Sequence, residues 1–113
     1  MKSIDIDLEI SLADLTPRFM KELELLEPFG IGNPKPVFLT RSLFVKNVGA
    51  EPRKKVWVTD GTLTYEATIS ERSGIPFYFE PGSRFDLVYT VGRKSWDGEA
   101  VTVLEAKDAK PPA

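Results

Sequence analysis

Residues 55–70 read KVWVTDGTLTYEATIS, and no other stretch restricts the possible fold as much. Val56 and Val58 alternate with Lys55, Trp57 and Thr59. Beyond Asp60-Gly61, Leu63, Tyr65, Ala67 and Ile69 alternate with Thr62, Thr64, Glu66 and Thr68. A period of two puts each set on one face of a strand. Asp-Gly is a favoured pair for a two-residue type I′ hairpin. The stretch therefore predicts an antiparallel hairpin with its aliphatic set toward a core. Trp57 then lies outside, between a lysine and a threonine.

The flanking sequence continues the pattern. VFLTRSLFVKNV, starting at Val37, predicts a strand bulged near Thr40–Ser42, with Leu43 and Val45 opposed to Phe44, Lys46 and Val48. GAEPRKK is a polar, basic turn. A second hairpin pairs Arg84–Arg93 with Glu99–Asp108 around Asp97-Gly98. In its first strand Phe85, Leu87, Tyr89 and Val91 point one way, and Asp86, Val88, Thr90 and Gly92 the other. ERSGIPFYFEPGS, between the hairpins, is an irregular connector. Three strands, a break and a hairpin suit a mainly β chain, a five-stranded Greek-key OB-fold barrel over residues 37–110. An SH3-like barrel is the rival architecture. Residues 1–36 form a joint leading into the barrel, and 111–113 a tail.

That joint opens with IDIDLEISL, whose Ile4, Ile6, Leu8 and Ile10 predict a strand with one buried face. The period then changes. Thr16 suits an N-cap and Pro17 the first helical position. Phe19, Leu23 and Leu26 form the apolar stripe, with Met20 beside it. Pro28 ends the helix.

The chain has 113 residues, enough for one domain. Apolar content is 42% and charged content 28%, ordinary for a globular protein. No apolar run approaches the roughly 18 residues a membrane helix needs. Cysteine and histidine are both absent. This excludes disulfides, thiolate and imidazole metal sites, and Ser-His-Asp or Cys-His catalysis. Asp5, Asp7 and Glu9 share a strand face but supply too few ligands for a cation. The net charge of −2 is uneven: residues 1–36 carry four basic and seven acidic groups, the remainder eleven and ten. A polyanion would need local clustering on the barrel.

One surface offers such a cluster. Phe44, Lys46, Lys55 and Trp57 share it, with Arg53 and Lys54 on the adjoining turn. Arg93, Lys94 and Trp96 lie near the tip of the last hairpin. Aromatic rings interleaved with cations suit single-stranded nucleic acid, because bases stack on rings while cations follow the phosphates. Simpler roles exist for each residue. Trp57 can pack under a neighbouring element, Trp96 can cover the hairpin turn, and PRKK can be a solvated basic turn.

Residues 26–38, LEPFGIGNPKPVF, crowd three prolines and two glycines together. Phosphate loops place their glycines before a helix, whose N-terminus meets the anion. These follow a helix, so a structural joint is the better account. Its residues are Pro28, Phe29, Gly30, Gly32, Asn33 and Pro34, with Pro36 extending the lead-in.

The same stretch resembles the LxPFGxGNPxPxF signature of the RecJ family, bacterial single-strand-specific 5′→3′ DNA exonucleases. In that family it lies just before, or at the start of, an OB-fold domain. VWVTDG, YEATIS and PGSRFDLVYTVGRKSWDGEAVTVLEAKD follow in an order similar to the family's. Ser95 stands where the family has Asn, and the connector after the third strand departs from the family's form. Both departures bear on loop contacts more than on fold. The family's nuclease core holds Mn²⁺ or Mg²⁺ on Asp and His ligands, including an Asp-His-His motif. A chain without histidine cannot contain it, so the resemblance implies a non-catalytic piece of a longer protein, or else a stand-alone relative, with no cofactor of its own.

The resemblance further implies single-stranded DNA binding in recombination and repair, with contacts from Lys46, Arg53, Lys54, Lys55, Trp57, Arg93, Lys94 and Trp96. Implied partners are the catalytic domains of the same polypeptide and single-strand-binding protein, in a bacterial cytoplasm and away from membranes. The competing expectation is an interaction domain that docks to the nuclease core. It predicts an exposed apolar patch at Phe19, Leu23, Phe29 and Phe38.

Overall fold

The computed structural model describes residues 6–27, 32, 34–48, 55–69 and 82–110. The elements run β1 (Leu8–Glu9), one 3-10 turn (Leu12–Asp14), α1 (Pro17–Glu24), β2 (Phe38–Val48), β3 (Lys55–Thr59), β4 (Thr64–Ile69), β5 (Arg84–Trp96) and β6 (Glu99–Lys110). Adjacent strands follow the order β1-β2-β3-β4-β6-β5, and β5 pairs back onto β2. Five of these six strands thus close a barrel. The β4–β6 pairing is parallel and the other barrel pairings are antiparallel. This is the OB-fold arrangement, and the parallel pair removes the SH3-like alternative.

Strand β2 belongs to both walls. Its first half pairs with β5 and its second half with β3. The bend between them falls between Thr40 and Leu43, where the register with β5 shifts, as the sequence predicted. Ser42 takes the bend with φ of 59°. Its amide donates to the Asp86 Oδ1 carboxylate oxygen at 2.9 Å.

The core is the expected aliphatic set. Leu43, Val45, Val56, Val58, Leu87, Tyr89 and Leu104 are all but removed from solvent. Burying a large aliphatic side chain contributes about 1.5–3 kcal/mol. Tyr89 is wholly enclosed, and its hydroxyl shares a 2.7 Å hydrogen bond with Thr40 Oγ1 across the β2–β5 seam. Burial pushes the Tyr89 phenol up to about 12.

The segment before the barrel seals one end of it. Thr16 caps α1 by accepting from the Phe19 amide at 3.1 Å, and Pro17 opens the helix, as expected. The Phe19 ring meets Phe38, which meets Tyr89, at centroid separations of 5.6 and 6.1 Å. Leu12 and Leu15 are buried beneath, and the Tyr65 hydroxyl donates to the Leu15 carbonyl at 3.3 Å.

Several expectations need correction. The first strand is only Leu8–Glu9; Ile10 is buried, while Ile6 and Leu8 are exposed because β1 pairs on one side alone. Ile4 lies outside the described residues. Helix α1 stops at Glu24, which leaves Leu26 beyond its apolar stripe and exposed. Leu63 sits in a turn at the surface. The Asp60-Gly61 hairpin is a four-residue loop, with positive φ at Gly61 and not at Asp60. Asp60 Oδ1 accepts from the Thr62 and Leu63 amides, each at 2.8 Å, and these bonds hold its carboxyl below the usual range. Type I′ geometry instead appears at Asp97-Gly98, with φ of 51° and 81°. On β5 both faces are buried, since Asp86, Val88 and Thr90 are covered as well as Phe85, Leu87 and Tyr89.

Candidate nucleic-acid interface

The outer wall of the barrel can be read row by row from strand register. Trp57 on β3 stands opposite Glu66 on β4, which stands beside Val103 on β6, which faces Gly92 on β5. One row along, Lys55 is followed by Thr68, Glu105 and Thr90. These residues alternate with core positions, so they point away from the core. Yet Glu66, Val103 and Thr90 are buried. At Glu66 and Thr90, side chains lying across the wall account for this.

Two lysines do so around Glu66. Lys94 Nζ donates to Glu66 Oε1 at 2.6 Å, and Lys55 Nζ lies 3.9 Å from Oε2. Each lysine keeps about a third of its side chain exposed, while Glu66 keeps 4%. Oε2 has no hydrogen-bond donor among the described residues. Trp57, half-buried, flanks this cluster from the neighbouring strand.

A second cluster ties the lead-in segment to the wall. Lys35 Nζ and the Thr90 hydroxyl both donate to Glu105 Oε1 at 2.8 Å. Burial pushes the Glu105 carboxyl up. The two hydrogen bonds and the charges of Lys35 and Lys107 outweigh it and hold the group below its ordinary value. Gly92 leaves room beside it: a Cβ there would lie 2.8 Å from Glu105 Oε2, so the carboxylate would have to shift.

The eight predicted contacts are distributed unevenly. Lys55, Trp57 and Lys94 meet on the β3–β4–β6–β5 wall. Lys46 is exposed at the irregular register between β2 and β3. Arg93 is ion-paired with Glu24 of α1, on the rim of a cleft of about 250 Å³ between α1 and β5. Trp96 pairs with Glu99 through its backbone at the end of the hairpin. Arg53 and Lys54 lie outside the described residues. So do Pro28, Phe29, Gly30 and Asn33 of the joint, while Gly32 and Pro34 are described and exposed. Phe44 is covered by the Arg84 guanidinium, 4.6 Å from its ring centroid.

Sequence reading missed Glu66, Glu24 and Glu105 as partners of the cationic residues. One signal was present for Glu66, the single acid on a β4 face otherwise made of threonines. Among the described residues no group of three or more Asp or Glu side chains could hold a metal ion, and no helix is long and apolar enough to cross a membrane.

Comparison with known proteins agrees with this architecture. Residues 6–108 match the family described as RecJ OB domain. The single-stranded-DNA-specific exonuclease RecJ of Bacillus subtilis (strain 168) is 26% identical over 109 residues, covering 93% of this chain and 14% of the relative. The crystal structure of RecJ in complex with Mn²⁺ from Thermus thermophilus superposes with a TM-score of 0.60 at 24% identity, covering 86% of this chain and 14% of that one. Its Mg²⁺ complex gives 0.58 at the same identity and covers 15% of that chain. The chain thus spans about one-seventh of the length of the relatives it matches.

Proposed function

This chain belongs to the RecJ OB-domain family, and on that premise we propose that it holds single-stranded DNA for a 5′→3′ single-strand-specific exonuclease. The catalytic core, with its Mn²⁺ or Mg²⁺, is assigned to other parts of the parent polypeptide. The parent acts in bacterial recombination and repair in the cytoplasm, with single-strand-binding protein as a further partner.

The observation that supports this most is the meeting of Trp57, Lys55 and Lys94 on one outer wall. OB-folds use the wall around the second and third barrel strands, here β3 and β4, for oligonucleotides. An aromatic ring there offers a stacking platform worth about 1–3 kcal/mol per base, and the ammonium groups suit backbone phosphates. Lys46, Arg53, Lys54, Arg93 and Trp96 are proposed as further contacts, of which Arg53 and Lys54 lie outside the described residues. For Arg93 this requires release from Glu24.

Titrating a single-stranded oligonucleotide at low salt while following tryptophan fluorescence tests the proposal. The expected result is quenching that weakens as salt rises, because phosphate contacts release counterions. Trp57→Ala should weaken binding roughly tenfold, from the loss of one stacked base. Fluorescence that never responds at low salt would rule the reading out.

A docking role toward the nuclease core has its own support, although not where it was expected. Phe38 is buried, Phe19 and Leu23 pack against the core, and Phe29 lies outside the described residues. Just beyond α1, Leu25 at 83% and Leu26 at 49% are exposed instead, in addition to Ile6, Leu8 and Leu63 elsewhere on the surface. Leu25 and Leu26 suit a contact with a neighbouring domain.

A further inference from the structure

Glu66 is a costly residue for its position. Its side chain keeps only 4% exposure, one carboxylate oxygen lacks a donor among the described residues, and it sits in the wall proposed to meet a polyanion. Burying a charged group with incomplete hydrogen bonding is unfavourable. The neighbours on its face, Thr64 and Thr68, indicate that a threonine would satisfy the strand without that penalty. What Glu66 does accomplish is electrostatic. It draws the ammonium groups of two strands, Lys94 from β5 and Lys55 from β3, onto one anionic oxygen pair.

We propose that Glu66 is an internal counterion that stands in for a DNA phosphate between Lys94 and Lys55, ordering the two lysines in the free domain and moderating affinity when DNA takes them over. This rests on the single-stranded DNA reading above. A phosphate oxygen offers Lys94 Nζ the same charge-assisted acceptor as Oε1. Transfer involves a rotation of the lysine side chain, which already reaches solvent. The remaining repulsion between Glu66 and the bound phosphate keeps binding weak enough for the strand to slide and release. Glu66 is thus a positioning residue that acts through the lysines, with no contact of its own to the DNA.

The test compares the wild-type chain with Glu66→Gln and Glu66→Asp for binding of an oligothymidylate about a dozen nucleotides long, within the usual reach of one OB-fold. Each is measured over a series of salt concentrations. Removing one negative charge about 5–6 Å from a phosphate should tighten binding roughly tenfold at low salt. The log–log salt dependence should steepen by about 0.7, the increment for one additional phosphate neutralised. Glu66→Asp, which keeps the charge, should retain the wild-type slope. Adding Lys94→Met to Glu66→Gln should abolish the improvement. Wild-type binding with Glu66→Gln equal or weaker at unchanged slope overturns the role of Glu66 and leaves the DNA reading standing. Absence of binding by both proteins overturns the DNA reading itself. Should Glu66→Gln fail to fold, the wild-type protein supplies a second measurement. The ¹⁵Nζ resonance of Lys94 should move on addition of DNA, and a resonance that stays fixed while DNA binds overturns the proposal.

Discussion

Ser42 concentrates the requirement for barrel closure in one residue. Strand β2 must leave β5 and join β3, and the backbone does this at a φ of 59°. Left-handed backbone costs an L-residue about 1 kcal/mol, because Cβ crowds the following carbonyl. Asp86, itself 7% exposed, offsets this by accepting the Ser42 amide, and the Arg41 guanidinium adds a contact at 3.4 Å to the same carboxylate. Two substitutions separate backbone from side chain here. Ser42→Val puts a β-branched side chain at positive φ and should lower stability by about 2 kcal/mol. Ser42→Gly removes the strain and should keep stability within about 1 kcal/mol of wild type, the relief being offset by unfolded-chain entropy. The side chain is exposed, so packing does not confuse the comparison. Urea titrations measure both, and equal losses in the two variants would count against a conformational cause.

Between elements, Lys35 at the end of the lead-in is tied to the barrel wall through the Lys35–Glu105–Thr90 cluster. Gly92 leaves the room that Glu105 needs. Gly92→Ala should push the carboxylate out of reach of both donors and cost about 1–2 kcal/mol. Lys35→Met should cost less, and the double variant should lose less than the two single losses combined, because one contact is removed twice. Thermal melts of the three proteins check this, and simple additivity would argue that the glycine acts only through its own strand. Local pattern made the strands legible. Alternation identified the faces of β3, and the bulge expected near Thr40–Ser42 coincides with the register shift between Thr40 and Leu43. It failed where burial comes from another element. Thr90 and Glu66 read as positions on the face away from the aliphatic set, because nothing nearby in sequence announces that Glu105, Lys94 and Lys55 of other strands lie against them. The loops at Asp60-Gly61 and Asp97-Gly98 share a dipeptide but not a geometry, since Asp60 commits its carboxylate to the amides of Thr62 and Leu63. The cations and rings of the candidate interface were therefore readable as residue types, whereas the acids that hold those cations required the register.

For the whole molecule, the seam between β2 and β5 decides whether the barrel is closed, and Tyr89 lies across that seam. Its ring is fully enclosed against Phe38, and its hydroxyl pairs with Thr40. Burial raises its ionisation to about 12, against an ordinary value of 10.0. Ionised Tyr89 would place an anion in the core, so deprotonation favours the open chain. Below about pH 10 both states keep the proton and stability is insensitive to it. Between about pH 10 and pH 12 the unfolded chain binds fewer protons than the folded one, so unfolding free energy falls as pH rises, by at most about 1.4 kcal/mol per pH unit. Tyr65, also raised by burial and by the charge of Asp60, adds to the fall. The difference between wild type and Tyr89→Phe isolates the seam. At pH 7 the variant should be less stable by about 1–2 kcal/mol, since the Thr40 hydroxyl, on a residue 3% exposed, loses its partner. Toward pH 12 that deficit should shrink and then reverse, because phenylalanine has no proton to lose. Urea midpoints at pH 7, 10, 11 and 12 would show the crossing, and two curves that stay parallel throughout would mean that the barrel admits water to Tyr89 without opening.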